Sequence, residues 1–305
     1  MDFKVTILGS GAASPSRGRN QTSQVVTLGN NCFLVDCGEA AQIQLKKYKI
    51  KLSKIDHIFI SHLHGDHYLG LMGLISTLHL ARRERLLTIF GPNGLDEIIT
   101  VQLKHSHLKL HYPIKFVPTS QEGKNLLLDD KYMRVYSFPL KHRIPCTGFS
   151  FEEKPRLRNL IKEKLQSHNL GIDAILSLRN GLDYRDEGGQ ILYRVEEYTY
   201  PPAPLRKYAF CSDTLYDEDI IPYIRDSSLL YHEATFMNRD EIRAGETCHS
   251  TAAQAATIAR SAGVKQLLLG HYSSRYVDLH PLLKEAEAIF EPSFLSEEGN
   301  TYWID

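Results

Sequence analysis

Ser61-His62-Leu63-His64-Gly65-Asp66-His67 is the stretch whose reading decides the fold. It sets three imidazoles and a carboxylate within one short segment, directly after the compact apolar run His57-Ile58-Phe59-Ile60. That run reads as a buried strand. In extended chain, His62 and His64 project to the same side. Gly65 permits the turn that returns Asp66 and His67 to the same centre. After Asp66, the apolar positions Leu69, Met72, Leu74, Ile75 and Leu78 share one helical face, which predicts a helix to about residue 83. Neutral imidazole and carboxylate suit zinc, whose catalytic sites keep a position open for water. A solvated His-rich loop is the competing reading, and the strand-turn-helix flanks argue against it.

One cluster cannot fill two metal shells, so further ligands are expected at later strand ends. His142 follows the strand-like 134–138, Asp213 closes 207–213 (KYAFCSD), and His271 closes 265–271 (KQLLLGH). Taken singly, each is better read as a hydrogen-bonded structural residue. Together they recur where an α/β sheet presents its site. The rest of the chain has the same rhythm. Val5-Thr6-Ile7-Leu8, Cys32-Phe33-Leu34-Val35 and Leu86-Leu87-Thr88-Ile89-Phe90 read as strands, and the last runs into the turn Gly91-Pro92-Asn93-Gly94. Helical patterns lie at 217–223, 251–261 and 281–290. The alternation indicates an α/β fold. The exception is 152–204, charged and weakly patterned, which reads as an arm inserted into one domain.

The 305 residues suffice for one large α/β domain or two small ones. Lys+Arg and Asp+Glu balance at 36 each, so a polyanion site must be a local patch. The five cysteines are scattered without CxxC spacing, which favours reduced thiols in a cytoplasmic setting over a disulfide framework. No apolar run is long enough for a membrane helix, and the N-terminus reads directly as a strand rather than a secretory signal.

HxHxDH, a later lone His, an Asp before Thr and a final His are together similar to the metallo-β-lactamase superfamily. The resemblance implies an αββα sandwich of two face-to-face sheets with helices outside. It further implies two zinc ions per chain, one held by His62, His64 and His142, the other by Asp66, His67 and His271, with Asp213 bridging. Such a pair supplies a nucleophile at neutral pH and steadies an in-line displacement on phosphorus. Asp66 is thereby also a catalytic candidate. Within the superfamily, His232-Glu233-Ala234-Thr235 and His249-Ser250-Thr251 resemble the HEAT and HST motifs of the ribonuclease Z family, which processes tRNA 3′ ends. Arg19-Asn20-Gln21-Thr22-Ser23 and Asp36-Cys37-Gly38-Glu39 resemble that family too. The implied reaction is removal of the 3′ trailer of precursor tRNA, leaving a 3′-hydroxyl, by a homodimer.

An alkoxide leaving group needs a proton donor. His249 is the candidate, with Glu233 orienting it. Alternatively His249 is a surface residue and Ser250 the helix N-cap. Lys154, Arg156, Arg158, Lys162 and Lys164 are phosphate-binding candidates on the arm, Arg156 and Arg158 foremost, although charge runs are more often solvated faces. The arm lacks the Gly-Pro-rich run of many bacterial members. Arg82-Arg83-Glu84-Arg85 reads as a charged helix terminus, and His105, His107 and His111 as solvent-facing. Gly9-Ser10-Gly11 lacks the third glycine of a dinucleotide loop. Two rival functions remain: a dinuclear-zinc phosphodiesterase for small phosphodiesters, and an idle RNA-binding protein.

Overall fold

The structure is a computed structural model and describes residues 1–16, 18–168 and 170–305. Two seven-stranded sheets dominate. The first runs in the order Thr301–Trp303, Phe3–Gly9, Ser23–Leu28, Asn31–Cys37, Ile55–Phe59, Leu87–Gly91, Ile114–Pro118. The second runs Ser293–Leu295, Leu267–Gly270, Leu229–Glu233, Lys207–Cys211, Cys146–Glu153, Met133–Leu140, Asn125–Asp129. In each sheet four consecutive strands are parallel.

Period-two alternation sorts the strand side chains between layers. Phe33 and Val35 enter the core between the sheets, where they meet Phe149, Phe151, Phe210 and Tyr231 of the second sheet. Their neighbours Cys32 and Leu34 turn to the helices of the first half, packing with Leu71, Leu74, Ile75 and Leu78. On the other outer face, Leu230, Leu267 and Leu269 pack against Ala252, Ala255, Ala256 and Ala259 of the helix Ala252–Ser261. The small alanine face lets that helix lie close on the sheet. Helix, sheet, sheet and helix thus form the αββα sandwich.

The helix after HxHxDH breaks into Gly65–Tyr68 and Gly70–Leu80. Gly65 is not among the residues in the left-handed region. The glycine that the packing demands is Gly70, where a Cβ would stand 2.0 Å from the Gly38 carbonyl oxygen. The helix therefore presses onto the end of Asn31–Cys37 and fixes its start beside the site. The charged-terminus reading of residues 82–85 fails at Arg83. Its guanidinium is buried and donates to the carbonyls of Ile55, Arg85 and Leu86 and to Asp56. His105, His107 and His111 are exposed.

The chain divides into two compact units, Met1–Glu152 with Arg206–Asp305, and Glu153–Leu205. The smaller holds the short helices Lys162–Ser167, Ile172–Arg179 and Val195–Tyr198 and the two-stranded pair Tyr184–Arg185 and Ile191–Tyr193. Tyr184, Tyr193 and Tyr198 pack in sequence at its centre. Among the described residues, no helix is long and apolar enough to cross a membrane.

Candidate active site

The C-terminal ends of strands from both sheets deliver the candidate residues to one place. His62, His64, Asp66 and His67 follow Ile55–Phe59, His142 follows Met133–Leu140, Asp213 follows Lys207–Cys211, and His271 follows Leu267–Gly270. His64 is extended and Gly65 opens the helical turn carrying Asp66 and His67. Donor atoms of His62, His64, His142 and Asp213 lie within 4.8 Å of one another, as do those of Asp66, His67 and His271. Asp213 spans the two groups. Its Oδ2 faces His62 Nε2 at 3.5 Å and His142 Nε2 at 3.8 Å, and its Oδ1 faces His67 Nε2 at 3.4 Å and His271 Nε2 at 3.1 Å.

The hydrogen bonds around the rings determine which nitrogen turns inward. His67 Nδ1 donates to Asp36 Oδ2 (2.7 Å) and His142 Nδ1 to the Cys248 carbonyl (2.9 Å). Ser61 Oγ donates to Asp36 Oδ2 at 2.9 Å, so it accepts from His62 Nδ1 at 3.0 Å. Likewise Thr235 Oγ1 donates to Glu233 Oε2 at 2.6 Å and accepts from His271 Nδ1 at 2.9 Å. Four rings spend Nδ1–H outward and leave the Nε2 lone pair facing the centre, as metal-ligating histidines do. His64 turns its Nδ1 inward, 3.0 Å from His62 Nε2 and 3.2 Å from His142 Nε2.

This donor set fits divalent metal. His67 Nε2 is buried and has no hydrogen-bond partner. Burial holds His62, His64 and His142 below the ordinary imidazole value, hence neutral and able to donate a lone pair. Burial opposes charge on Asp66 and Asp213 as well. The surrounding imidazoles (His67 foremost at Asp66, His271 at Asp213) outweigh it and keep both ionised. Burial also disfavours a charged His67, yet Asp213, Asp66 and Asp36 together hold its pKa well up. The pocket thus calls for positive charge where the Nε2 atoms converge, and a cation bound there supplies it.

His249 lies beside this cluster, its ring 5.2 Å from that of His142 and 5.5 Å from that of His271. Its Nδ1 donates to Glu233 Oε1 at 2.8 Å, and its side chain is only 16% exposed, so it is no surface residue. Burial works against the imidazolium, but Glu233, seconded by Asp213, raises its pKa to about 9. Glu233 is fully buried and accepts from the backbone N–H groups of Thr214 and Thr235, from Thr235 Oγ1 and from His249. Ser250 is not the helix cap. Its hydroxyl donates to the Thr214 carbonyl, and Thr251 caps the helix in a reciprocal box with Gln254. His232 is buried, with Nδ1 on the Glu233 carbonyl at 2.7 Å.

Asp36, Ser61 and Thr235, which fix the rings, have no role among the sequence-based expectations. Asp36 and Thr235 stood inside recognised motifs, and that is the signal that could have found them. In the smaller unit, Arg156 pairs with Glu153, and Arg158 reaches Thr199 Oγ1 at 3.3 Å.

A family profile described as Anti-Pycsar protein Apyc1 matches residues 3–111. Over its full length the chain is 47% identical to Ribonuclease Z of Cytophaga hutchinsonii, spanning 100% of this chain and 97% of that relative. The chain belongs to the ribonuclease Z family. Ribonuclease Z of Bacteroides thetaiotaomicron is 45% identical, with 97% of this chain and 94% of the relative covered. Among solved structures, the short form of human tRNase Z superposes with a TM-score of 0.71 at 29% identity, covering 99% of both chains. The ribonuclease Z relationship therefore extends over the smaller unit too, and is not confined to the metal-binding half.

Proposed function

We propose that this chain is a precursor-tRNA 3′ endonuclease, cutting off the trailer and leaving a 3′-hydroxyl on the tRNA. The observation that carries the reading is the His249–Glu233 pair, 2.8 Å apart, set beside the seven converging donor residues. In this reading His62, His64 and His142 would hold one zinc ion and Asp66, His67 and His271 a second, with Asp213 as a carboxylate available to both. Two such ions acidify water and offset charge on the phosphodiester oxygens.

The chain's own residues do the rest. With Nδ1–H donated to Glu233, His249 keeps its second proton on Nε2 and passes it to the departing 3′ oxygen. Glu233 fixes the ring and, through Thr235, steadies His271. Asp66, anchored by the Ala13 N–H at 2.7 Å, orients the attacking water. Residues 1–305 act as one metallo-β-lactamase domain whose inserted segment, about 152–204, is the tRNA-docking arm, with Arg156 and Arg158 as phosphate contacts. The working form is a cytoplasmic homodimer.

The test is incubation of zinc-loaded protein with a 3′-extended tRNA transcript, mapping the ends of both products. Cleavage near the acceptor end with a 3′-hydroxyl on the tRNA is expected. An uncut transcript, under conditions where a nitrophenyl phosphodiester is hydrolysed, would favour the small-substrate alternative.

A further inference from the structure

The open cleft lined by the candidate donor residues has a volume of about 590 Å³. Its lining carboxylates are Asp66 and Asp213, both assigned above to metal, whereas its lining cations are Arg143, Arg243 and Arg275. In a chain with no net charge this one-sided rim is a local feature. Arg275 is held by an aromatic ring as well as by a carboxylate. It lies 4.9 Å from the centre of the Phe236 ring and 3.4 Å from Asp240 Oδ1.

Arg143 and Arg243 differ. They come from separate elements, the loop after Met133–Leu140 and the helix Glu241–Thr247, yet both reach Glu246. Arg143 Nη2 donates to its backbone carbonyl at 2.6 Å, and Arg243 Nη1 to its Oε2 at 3.1 Å. The Arg243 and Glu246 side chains are 56% and 58% exposed. An exposed ion pair of this kind contributes little to stability. It does hold the Arg243 guanidinium at the cleft, which Arg143, next in sequence to His142, and Thr247 also line. A carboxylate oxygen on a guanidinium occupies the place a phosphate oxygen takes.

We infer that Arg143 and Arg243 form a subsite for an RNA backbone phosphate next to the scissile one, and that the Glu246 carboxylate covers Arg243 until RNA displaces it. The inference rests on the RNA-cleaving reading and deepens it. Binding of the strand exchanges an internal ion pair for a contact to phosphate, which positions the RNA without reading its bases. Removing Arg243 and removing the charge on Glu246 must therefore act in opposite directions. A merely structural ion pair would give the same direction for both.

The experiment measures KM, kcat and the salt dependence of binding for the parent, Arg243→Gln, Arg243→Lys and Glu246→Gln on one 3′-extended tRNA, at matched zinc content. Arg243→Gln is expected to raise KM several-fold, more than it lowers kcat, and to flatten the salt slope by about one. Lysine at that position restores the slope, and Glu246→Gln lowers KM. Unchanged KM in either glutamine variant, or a rise in Glu246→Gln, overturns the subsite. A parent that does not cut this RNA sinks the functional reading and the subsite with it. A parent that cuts while its variants match it sinks the subsite alone.

Discussion

The roles proposed for His249 and Asp66 are separable, and substrate choice separates them. A ribose alkoxide needs a proton as it leaves, whereas a nitrophenolate leaves without help. His249→Ala should slow tRNA cleavage by about 10²–10⁴-fold, the usual range for a lost general acid, and slow a nitrophenyl phosphodiester far less. Asp66→Ala should damage both. Equal loss on both substrates in His249→Ala with zinc retained would remove the proton-donor role. His57 gives a second residue-scale test, and it is none of the metal-ligand candidates. Burial, partly opposed by Asp56 and Asp130, pushes its pKa below the ordinary imidazole value, and its ring packs between Phe33 and Phe90. Below about pH 6.5 the unfolded chain takes up a proton that the folded chain refuses. The stability present above that pH is therefore lost as pH falls toward the folded value. His57→Gln loses packing at neutral pH but has no such proton to take up. The melting-temperature gap between parent and variant should narrow from about pH 7.5 to about pH 5.5, and a constant gap would show that His57 is not responsible. The metal-ligand candidates were legible because few folds need so many histidines at strand ends. Asp36 and Thr235 were not assigned roles, because a buried carboxylate or hydroxyl shows its partner only once the strands are paired.

Strands and helices were readable where periodicity was set by one packing face, and were misplaced where tertiary contacts decide. Ser250 and Thr251 are both good N-cap residues, and local chemistry cannot rank them. The structure ranks them: the Ser250 hydroxyl is drawn to the Thr214 carbonyl, leaving Thr251 to close the box with Gln254. Thr251→Ala should thus cost about 1 kcal/mol of unfolding free energy, as cap removal does, measurable by denaturant titration. Ser250→Ala should instead loosen the turn that carries Asp213, lowering zinc retention more than cap stability. A reversed pattern would return the cap to Ser250. Arg83 teaches the same lesson. Nothing in a run of arginines marks the one that turns inward to close off strand Ile55–Phe59 through the Ile55 carbonyl and Asp56.

At the scale of the molecule, alternating strands and helices indicated the α/β class and the family resemblance supplied the sandwich, whereas the segment between strands Cys146–Glu153 and Lys207–Cys211 had only a weak pattern to read. The way that segment is inserted makes its contribution testable. Strands Cys146–Glu153 and Lys207–Cys211 are antiparallel, and Lys207 stands directly opposite Glu152. The ends that bracket the smaller unit are therefore already neighbours in the ladder. A two-residue Asn-Gly turn matches the twist of such a pair and can join them without pulling on the sheet. Replacing 153–206 by that turn should leave a folded, zinc-binding protein, because the three hydrophobic clusters contain no residue of the segment apart from the sheet they share. If the arm docks tRNA, its phosphate contacts vanish and KM for the transcript rises by about tenfold or more, with a shallower salt dependence. Hydrolysis of a nitrophenyl phosphodiester, which is too small to reach beyond the cleft, should be largely retained. Equal loss of both activities in a variant that still melts cooperatively and holds zinc would mean that the segment shapes the catalytic cleft, and is not devoted to docking.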